Sequence, residues 1–242
     1  MPDRRRHRGP HPTDRNGFTT ARLPKLRTAV SDLSWLLTRG YSDISALKIV
    51  GDRYELTVRQ RQAVMRSSCA DRALAQRQKT QVELTCGDQR PLFVDGYNLL
   101  ITLESALSGG LVLIGRDGCT RDLASLHGTY RTVEETVPAL ELIGHFLAER
   151  HDSEVTWYLD APVSNSARLA TLIRTTGANH SWRWSTQVVG NPDPVLAAAQ
   201  NAVVASSDSW IIDRAETWTP LSRTAIEALV PDAWIEDLTI AD

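Results

Sequence analysis

Aspartates stand where apolar runs stop. Leu92-Phe93-Val94 runs into Asp95, Val155-Thr156-Trp157-Tyr158-Leu159 into Asp160, and Ala202-Val203-Val204-Ala205 into Ser206-Ser207-Asp208. A fourth, Asp193, lies in Asn191-Pro192-Asp193-Pro194, ahead of the last run. If these runs are neighbouring strands of one parallel sheet, their ends lie about 5 Å apart. Carboxylates gathered there repel one another until a cation neutralises them. Hard divalent ions such as Mg²⁺ or Mn²⁺ take oxygen ligands and keep places for water and phosphate oxygens. Such an ion can activate a water and stabilise a phosphodiester under in-line attack. Each aspartate also has an ordinary structural alternative, because Asp is favoured at turns and N-caps. Asp193 before Pro194 reads as an N-cap with proline at the first helical position, and Asp95-Gly96 reads as a turn. The joint placement is what favours a cation site.

The elements that must position these residues can be read from residue 91 onward. Apolar strands are expected at 92–94, 155–159, 182–189, 202–205 and near 234–238. Helical spacing fits 99–107, 167–176, a short Ala-rich stretch after Asp193, and 222–229. Thr132-x-x-Glu135 is a capping-box pattern opening a helix to about Arg150. Residues 108–131 are Gly-rich and read mostly as loop, with a short helix around Leu123–His127. Strands alternating with helices predict an α/β fold with an open, mostly parallel five-stranded sheet and flanking helices. In such sheets functional groups collect beyond the carboxyl ends of the strands, where strand order reverses.

The first 90 residues differ in character. They hold 18 Lys and Arg against 9 Asp and Glu, whereas residues 91–242 hold 9 against 20, so a basic part of +9 precedes an acidic part of −11. Residues 1–20 read as a disordered or loosely docked arm. Residues 21–90 read as a small basic all-α region. Its first helix starts near Pro24 and ends at Gly40, a second covers Ile44–Val50, and a third, capped by Thr57, runs to about Gln78. The third carries Arg59, Arg61 and Arg66, the expected contacts to a phosphate backbone. The layout is helix-turn-helix-like in outline only. Residues 91–242 form the α/β domain.

Two segments carry a resemblance. Phe93-Val94-Asp95-Gly96-Tyr97-Asn98 resembles the opening motif of the NYN branch of the PIN-like nuclease superfamily, and Val203–Ile212 is similar to that superfamily's fourth-strand motif. Asp193 matches the acid that begins the helix before that strand. The whole chain resembles a prokaryotic family with a basic helical N-terminal region. The resemblance implies a metal-dependent nuclease, RNA favoured over DNA, holding Mg²⁺ or Mn²⁺ on Asp95, Asp193 and Asp208. Asp160 and Asp213 are further candidate ligands. Asn98 would orient Asp95 or contact the scissile phosphate. The chain departs from the pattern in the 108–131 insertion and in one missing acid, for which Asp117, Asp122, Glu134 or Glu135 could substitute. A catalytically inactive nucleic-acid-binding protein and a small-nucleotide phosphoesterase are the alternatives.

Other chemistries lack their residues. No nucleophile elbow surrounds Ser164, Ser166 or Ser206, and no P-loop or dinucleotide glycine motif stands between strand and helix. An aspartyl phosphatase wants a second Asp where Tyr97 stands. His145 sits in an apolar helix and reads as packed; His127 is the other candidate base. Trp157, Trp182, Trp184 and Trp210 could stack on bases, although strand positions favour the core. Cys69, Cys86 and Cys119 are odd in number and far apart, against a disulfide framework. No apolar run reaches the roughly 20 residues of a membrane span and no secretory pattern opens the chain, so the expected setting is cytoplasmic.

Overall fold

The computed structural model describes residues 7–124 and 130–239. It opens with α1 (Asp14–Gly17), α2 (Leu23–Thr38), α3 (Asp43–Arg53), α4 (Val58–Ser67) and α5 (Asp71–Thr80). The α/β part follows as β1 (Leu92–Asp95), α6 (Gly96–Leu107), β2 (Val112–Ile114), β3 (Thr120–Asp122), α7 (Thr136–Ala148), β4 (Val155–Asp160) and α8 (Ser166–Asn179). It ends with β5 (Trp184–Val189), α9 (Asp193–Ala197), β6 (Val203–Ala205), α10 (Ser209–Ile212), β7 (Trp218–Thr219), α11 (Leu221–Leu229) and β8 (Ile235–Asp237).

The main sheet has five strands, all parallel, in the order β5-β4-β1-β6-β7. Side chains alternate across it, as the pleat requires. Leu92, Val94, Trp157, Leu159, Val203 and Ala205 face a core built with α6, α7, α8 and α11. Phe93, Tyr158 and Val204 face the other side, against α9 and α10. Turning from β1 into α6 requires glycine. A Cβ on Gly96 would lie 2.6 Å from Leu159 Cδ2 and 2.9 Å from the Tyr158 carbonyl.

Three expectations are corrected here. The fifth strand is β7, only two residues long, and not the segment near 234–238. That segment forms β8, which joins β2 and β3 in a second, three-stranded sheet. Residues 111–122, expected as loop, supply the other two strands; the helix expected around Leu123–His127, with His127 itself, falls largely on residues outside those described. The third basic helix is two helices, α4 and α5, broken at Ser68–Ala70.

The helices at the N-terminus are placed by ordinary signals. Pro24 sits in the first turn of α2, Ser42 caps α3 through the Ser45 N–H, and Thr57 and Gln60 form a reciprocal capping box on α4. Their apolar faces do not close on themselves. Leu26, Val30, Leu33 and Val64 share a core with Leu111, Leu113, Leu123 and Leu238, so the second sheet is common ground between the two parts. Where a disordered or loosely docked arm was expected, residues 7–20 lie against this core. Phe18 and Asp14 are buried, and the Arg8 guanidinium pairs with the fully buried Glu104.

Candidate active site

Strand order reverses between β1 and β6. From β1 the chain proceeds to β4 and β5 on one side, then to β6 and β7 on the other. Asp95 ends β1 and Asp208 follows β6 by three residues, so both stand at this switch point. Asp160 ends β4, the other neighbour of β1.

Hydrogen bonds fix the first two relative to each other. Ser206 Oγ donates to Asp95 Oδ2 at 2.7 Å, and the Asp208 N–H donates to Ser206 Oγ at 3.0 Å. Asn98, on the first turn of α6, accepts the Ser207 N–H at 2.9 Å. Asn98 therefore fastens the loop that carries Asp208 through its side chain, while its backbone N–H donates to the Asp95 carboxylate. The structural alternative holds in part for Asp208, whose Oδ1 caps α10 through the Trp210 and Ile211 N–H groups. It fails for Asp193. Pro192 is the N-cap of α9, and Asp193 is its first helical residue, with no side-chain capping bond. Asn191 Oδ1 takes the Asp193 N–H instead.

These carboxylates feel one another. Burial pushes the Asp95 carboxyl up to about 7; the Ser206 hydrogen bond opposes this, and the charges of Asp208 and Asp193 add to it. Asp193 is raised by partial burial and by Asp208, and Asp160 by partial burial and by Asp193. Among the described residues no Lys, Arg or His forms an ion pair with Asp95, Asp160, Asp193 or Asp208.

Several predicted residues are placed elsewhere. Asp213 is held by Arg77 Nε at 2.7 Å and is tied into a buried network. Arg59 is bound bidentately to Asp14, Arg61 to Asp52 and the Leu56 carbonyl, and Arg66 to Asp122. Arg59 and Arg61 are thus taken up by contacts within the protein, Arg59 Nη1 also donating to the Leu123 carbonyl at 3.0 Å, and are not left free for a phosphate backbone; Arg66 keeps a 41% exposed side chain. Of the proposed replacement acids, Asp117 is claimed by Arg77 and Arg121, and Glu134 and Glu135 face His7. The Thr132–Glu135 capping box does not form: Glu135 is helical at the N-cap, and Thr136 Oγ1 takes the Val133 N–H. Asp122 is buried and accepts from Thr102 Oγ1 and the Ala124 N–H. His145 is exposed, against expectation, with its ring beside His180 and Trp182.

A cleft of about 760 Å³ opens beside Asp208 and Asn98. Its other side is the helical unit, through Tyr41, Arg66 and the α4–α5 linker. Arg121, on β3 in the segment read as loop, was not identified from sequence. Its Nε donates to the Ser207 carbonyl at 2.8 Å, so it positions the same loop that Asn98 holds. No local pattern announced it, because its partner is 86 residues away.

The oxygen-only donor set matches a hard divalent ion. Among the described residues, no three His, Cys, Asp or Glu side chains form a ready cage for a metal ion.

Fold and site define a class: a parallel α/β domain with an acidic centre at its switch point, roofed by a helical unit. The family described as "Domain of unknown function (DUF5616)" matches residues 87–224, and that described as "Protein of unknown function (DUF434)" matches residues 25–79. The chain belongs to the DUF5616 family. It is 30% identical over 187 residues to "Uncharacterized protein MJ0935" of Methanocaldococcus jannaschii, an alignment covering 77% of this chain and 88% of that protein. No solved structure matches it. Among the described residues no helix is long and apolar enough to cross a membrane.

Proposed function

We propose that the chain is a metal-dependent phosphodiester hydrolase of PIN-like type acting on nucleic acid, with RNA favoured over DNA on the resemblance of its two motifs. The observation that carries this reading is the pair Asp95 and Asp208, joined through Ser206 at the switch point with Asp193 and Asp160 close by, and without a basic partner among the described residues. Asp95 and Asp208 would hold Mg²⁺ or Mn²⁺, with Asp193 and Asp160 as outer ligands. A bound ion supplies an activated water and neutralises charge on the phosphate. The chain's own contribution is to hold Asp95 through Ser206, and the Asp208 loop through Asn98 and Arg121.

Asp208→Asn is the cleanest probe, because asparagine is as good an N-cap as aspartate and α10 is retained. Mn²⁺-dependent cleavage of labelled RNA should be lost, and binding should remain. RNA, DNA and mononucleotides are assayed side by side. Cleavage indifferent to the substitution or to chelator sinks the reading. Binding without turnover under every divalent ion identifies an inactive scaffold, and turnover of mononucleotides alone identifies a small-nucleotide phosphoesterase.

A further inference from the structure

The cleft beside Asp208 is lined from both parts of the chain, and each part leaves a large aromatic side chain exposed in it. Tyr41, from the α2–α3 connection, is 50% exposed, and Trp210, on α10, is 44% exposed. Trp157 and Trp218, by contrast, are fully buried. The Arg214 guanidinium lies 4.3 Å from the Trp210 ring centroid, over one face. Trp210 is thus flanked by a cation and keeps close to half of its surface open.

Charge points the same way. Most arginines around the cleft are consumed by carboxylates. Arg72, exposed on α5, and Arg214, exposed beside Trp210, have no carboxylate partner among the described residues. Ala70 and Ala73 line the α5 wall with minimal bulk. The cleft therefore brings two open aromatic rings to Asp208 and the half-exposed Arg66, with Arg214 beside Trp210 and Arg72 next to the lining residue Ala73.

We propose that this cleft takes a single strand of nucleic acid whose unpaired bases stack on Trp210 and Tyr41, so that the helical unit supplies half of the substrate site. The proposal rests on the phosphodiester reading and narrows its substrate. Bases already paired and stacked in a duplex cannot offer their faces to these rings, whereas every unpaired base can, with little regard to sequence. Arg72 and Arg214 would meet the phosphates.

The test is fluorescence anisotropy of the full chain in chelator, so that no turnover occurs. The probes are a labelled single-stranded oligonucleotide, an abasic strand of equal length, and a blunt duplex. Stacking is worth roughly 1–3 kcal/mol per base, so Trp210→Ala and Tyr41→Ala should each weaken single-strand binding by about tenfold to a hundredfold. Abasic binding should be nearly unchanged, Trp210→Phe should recover most of the loss, and the duplex should bind weakest. Both residues are about half exposed, so the variants should keep the unfolding midpoint of the unaltered chain. Equal losses on base-bearing and abasic strands, no loss on either, preference for the duplex, or no binding of any probe overturns the proposal. The two readings fail separately. If Asp208→Asn abolishes cleavage while Trp210→Ala and Tyr41→Ala bind all probes normally, the hydrolase stands and the stacking groove does not. If base-dependent binding is found but no divalent ion supports cleavage, the groove stands and the hydrolase does not.

Discussion

Replacing Asp117 by asparagine should unhinge the two parts of the molecule without changing their shapes. Asp117 lies in the turn between β2 and β3 and is buried. Its Oδ2 accepts from Arg77 Nη1 and, at 2.6 Å, from Arg121 Nη2; its Oδ1 accepts from Arg121 Nη1 at 2.9 Å and the Cys119 N–H at 3.2 Å. Arg77 comes from α5 of the helical unit, and its side chain is 3% exposed; that of Arg121 is 9% exposed. Burial alone would raise the Asp117 pKa. The Arg121 and Arg77 charges and their hydrogen bonds more than reverse this and hold it at about 2, against an ordinary 3.8. Removing one partner of a buried pair costs about 3–5 kcal/mol, because the remaining charge stays buried without compensation. Asp213 still holds Arg77, and the Ser207 carbonyl still holds Arg121, so the lower end applies, about 3 kcal/mol. For a chain of this size that is a loss of about 6–12 °C in Tm. The pH dependence separates charge from packing. A carboxyl with a depressed folded pKa contributes stability that is complete above 3.8 and is lost as pH falls toward 2. The gap between the unaltered chain and Asp117→Asn in urea unfolding should therefore shrink by about 2 kcal/mol from pH 6 to pH 2. A deficit under about 1 kcal/mol at pH 6, or one unchanged at pH 2, would refute the reasoning.

Three further outcomes follow from packing and pairing. Gly96→Ala places a methyl 2.9 Å from the Tyr158 carbonyl, which cannot move without disturbing β4, so chemical denaturation should show about 1–3 kcal/mol of destabilisation. Trp218→Phe removes the Trp218 Nε1–H donor, at 2.9 Å, from the Arg77 carbonyl, which keeps the Gln81 N–H, and should cost about 0.5–1.5 kcal/mol in urea unfolding; an unchanged unfolding midpoint would show that this hydrogen bond adds nothing to stability. Arg8→Ala leaves Glu104 buried with Tyr130 and Thr136 as its side-chain donors among the described residues, and amide exchange across residues 7–20 should accelerate while β1 and β4 stay protected.

The main sheet was legible because β1, β4 and β6 are apolar runs, the first two ending on an aspartate, and β5 alternates with the period of a strand. β7 was not, since two residues between Thr217 and Pro220 carry no period at all. The second sheet was hidden for a different reason. β2 and β3 lie among glycines, and β8 pairs with β2 from about 120 residues away, so no window of sequence contains the interaction that forms it. Asp193 shows how a local rule can be overridden. Asp-Pro is a good cap in isolation, but the side chain of Asn191 takes the N–H first and shifts the helix start by one residue, which frees the Asp193 carboxylate. The acids at the strand ends could thus be read from sequence, while the groups that hold them, Ser206 and Arg121, depended on contacts the spacing does not encode.

The split between a basic first part and an acidic second part first reads as a grip for a polyanion. The partners of the arginines change that reading. Arg8 pairs with Glu104, Arg66 with Asp122, and Arg77 with both Asp117 and Asp213, each crossing from the first 90 residues to the rest. Arg116 of the second part pairs in return with Asp71 of the first. Arg59 and Arg61 are neutralised within the helical unit. Complementary charge therefore works first as the bond between the two parts, aided by their shared apolar core, and these guanidiniums are no longer free for phosphate. Several cations have no carboxylate partner among the described residues; of these, Arg72 and Lys79 lie on α5, which lines the cleft through Ala73 and Arg77, and Arg214 lies beside Trp210. Phosphate affinity should follow the cations α5 and α10 present, not the arginine-rich sequence of α4. Charge reversal at Arg72 should thus weaken oligonucleotide binding and flatten its salt dependence, while Arg61→Gln should lower stability and leave binding unchanged; the opposite pattern would return the phosphate grip to α4.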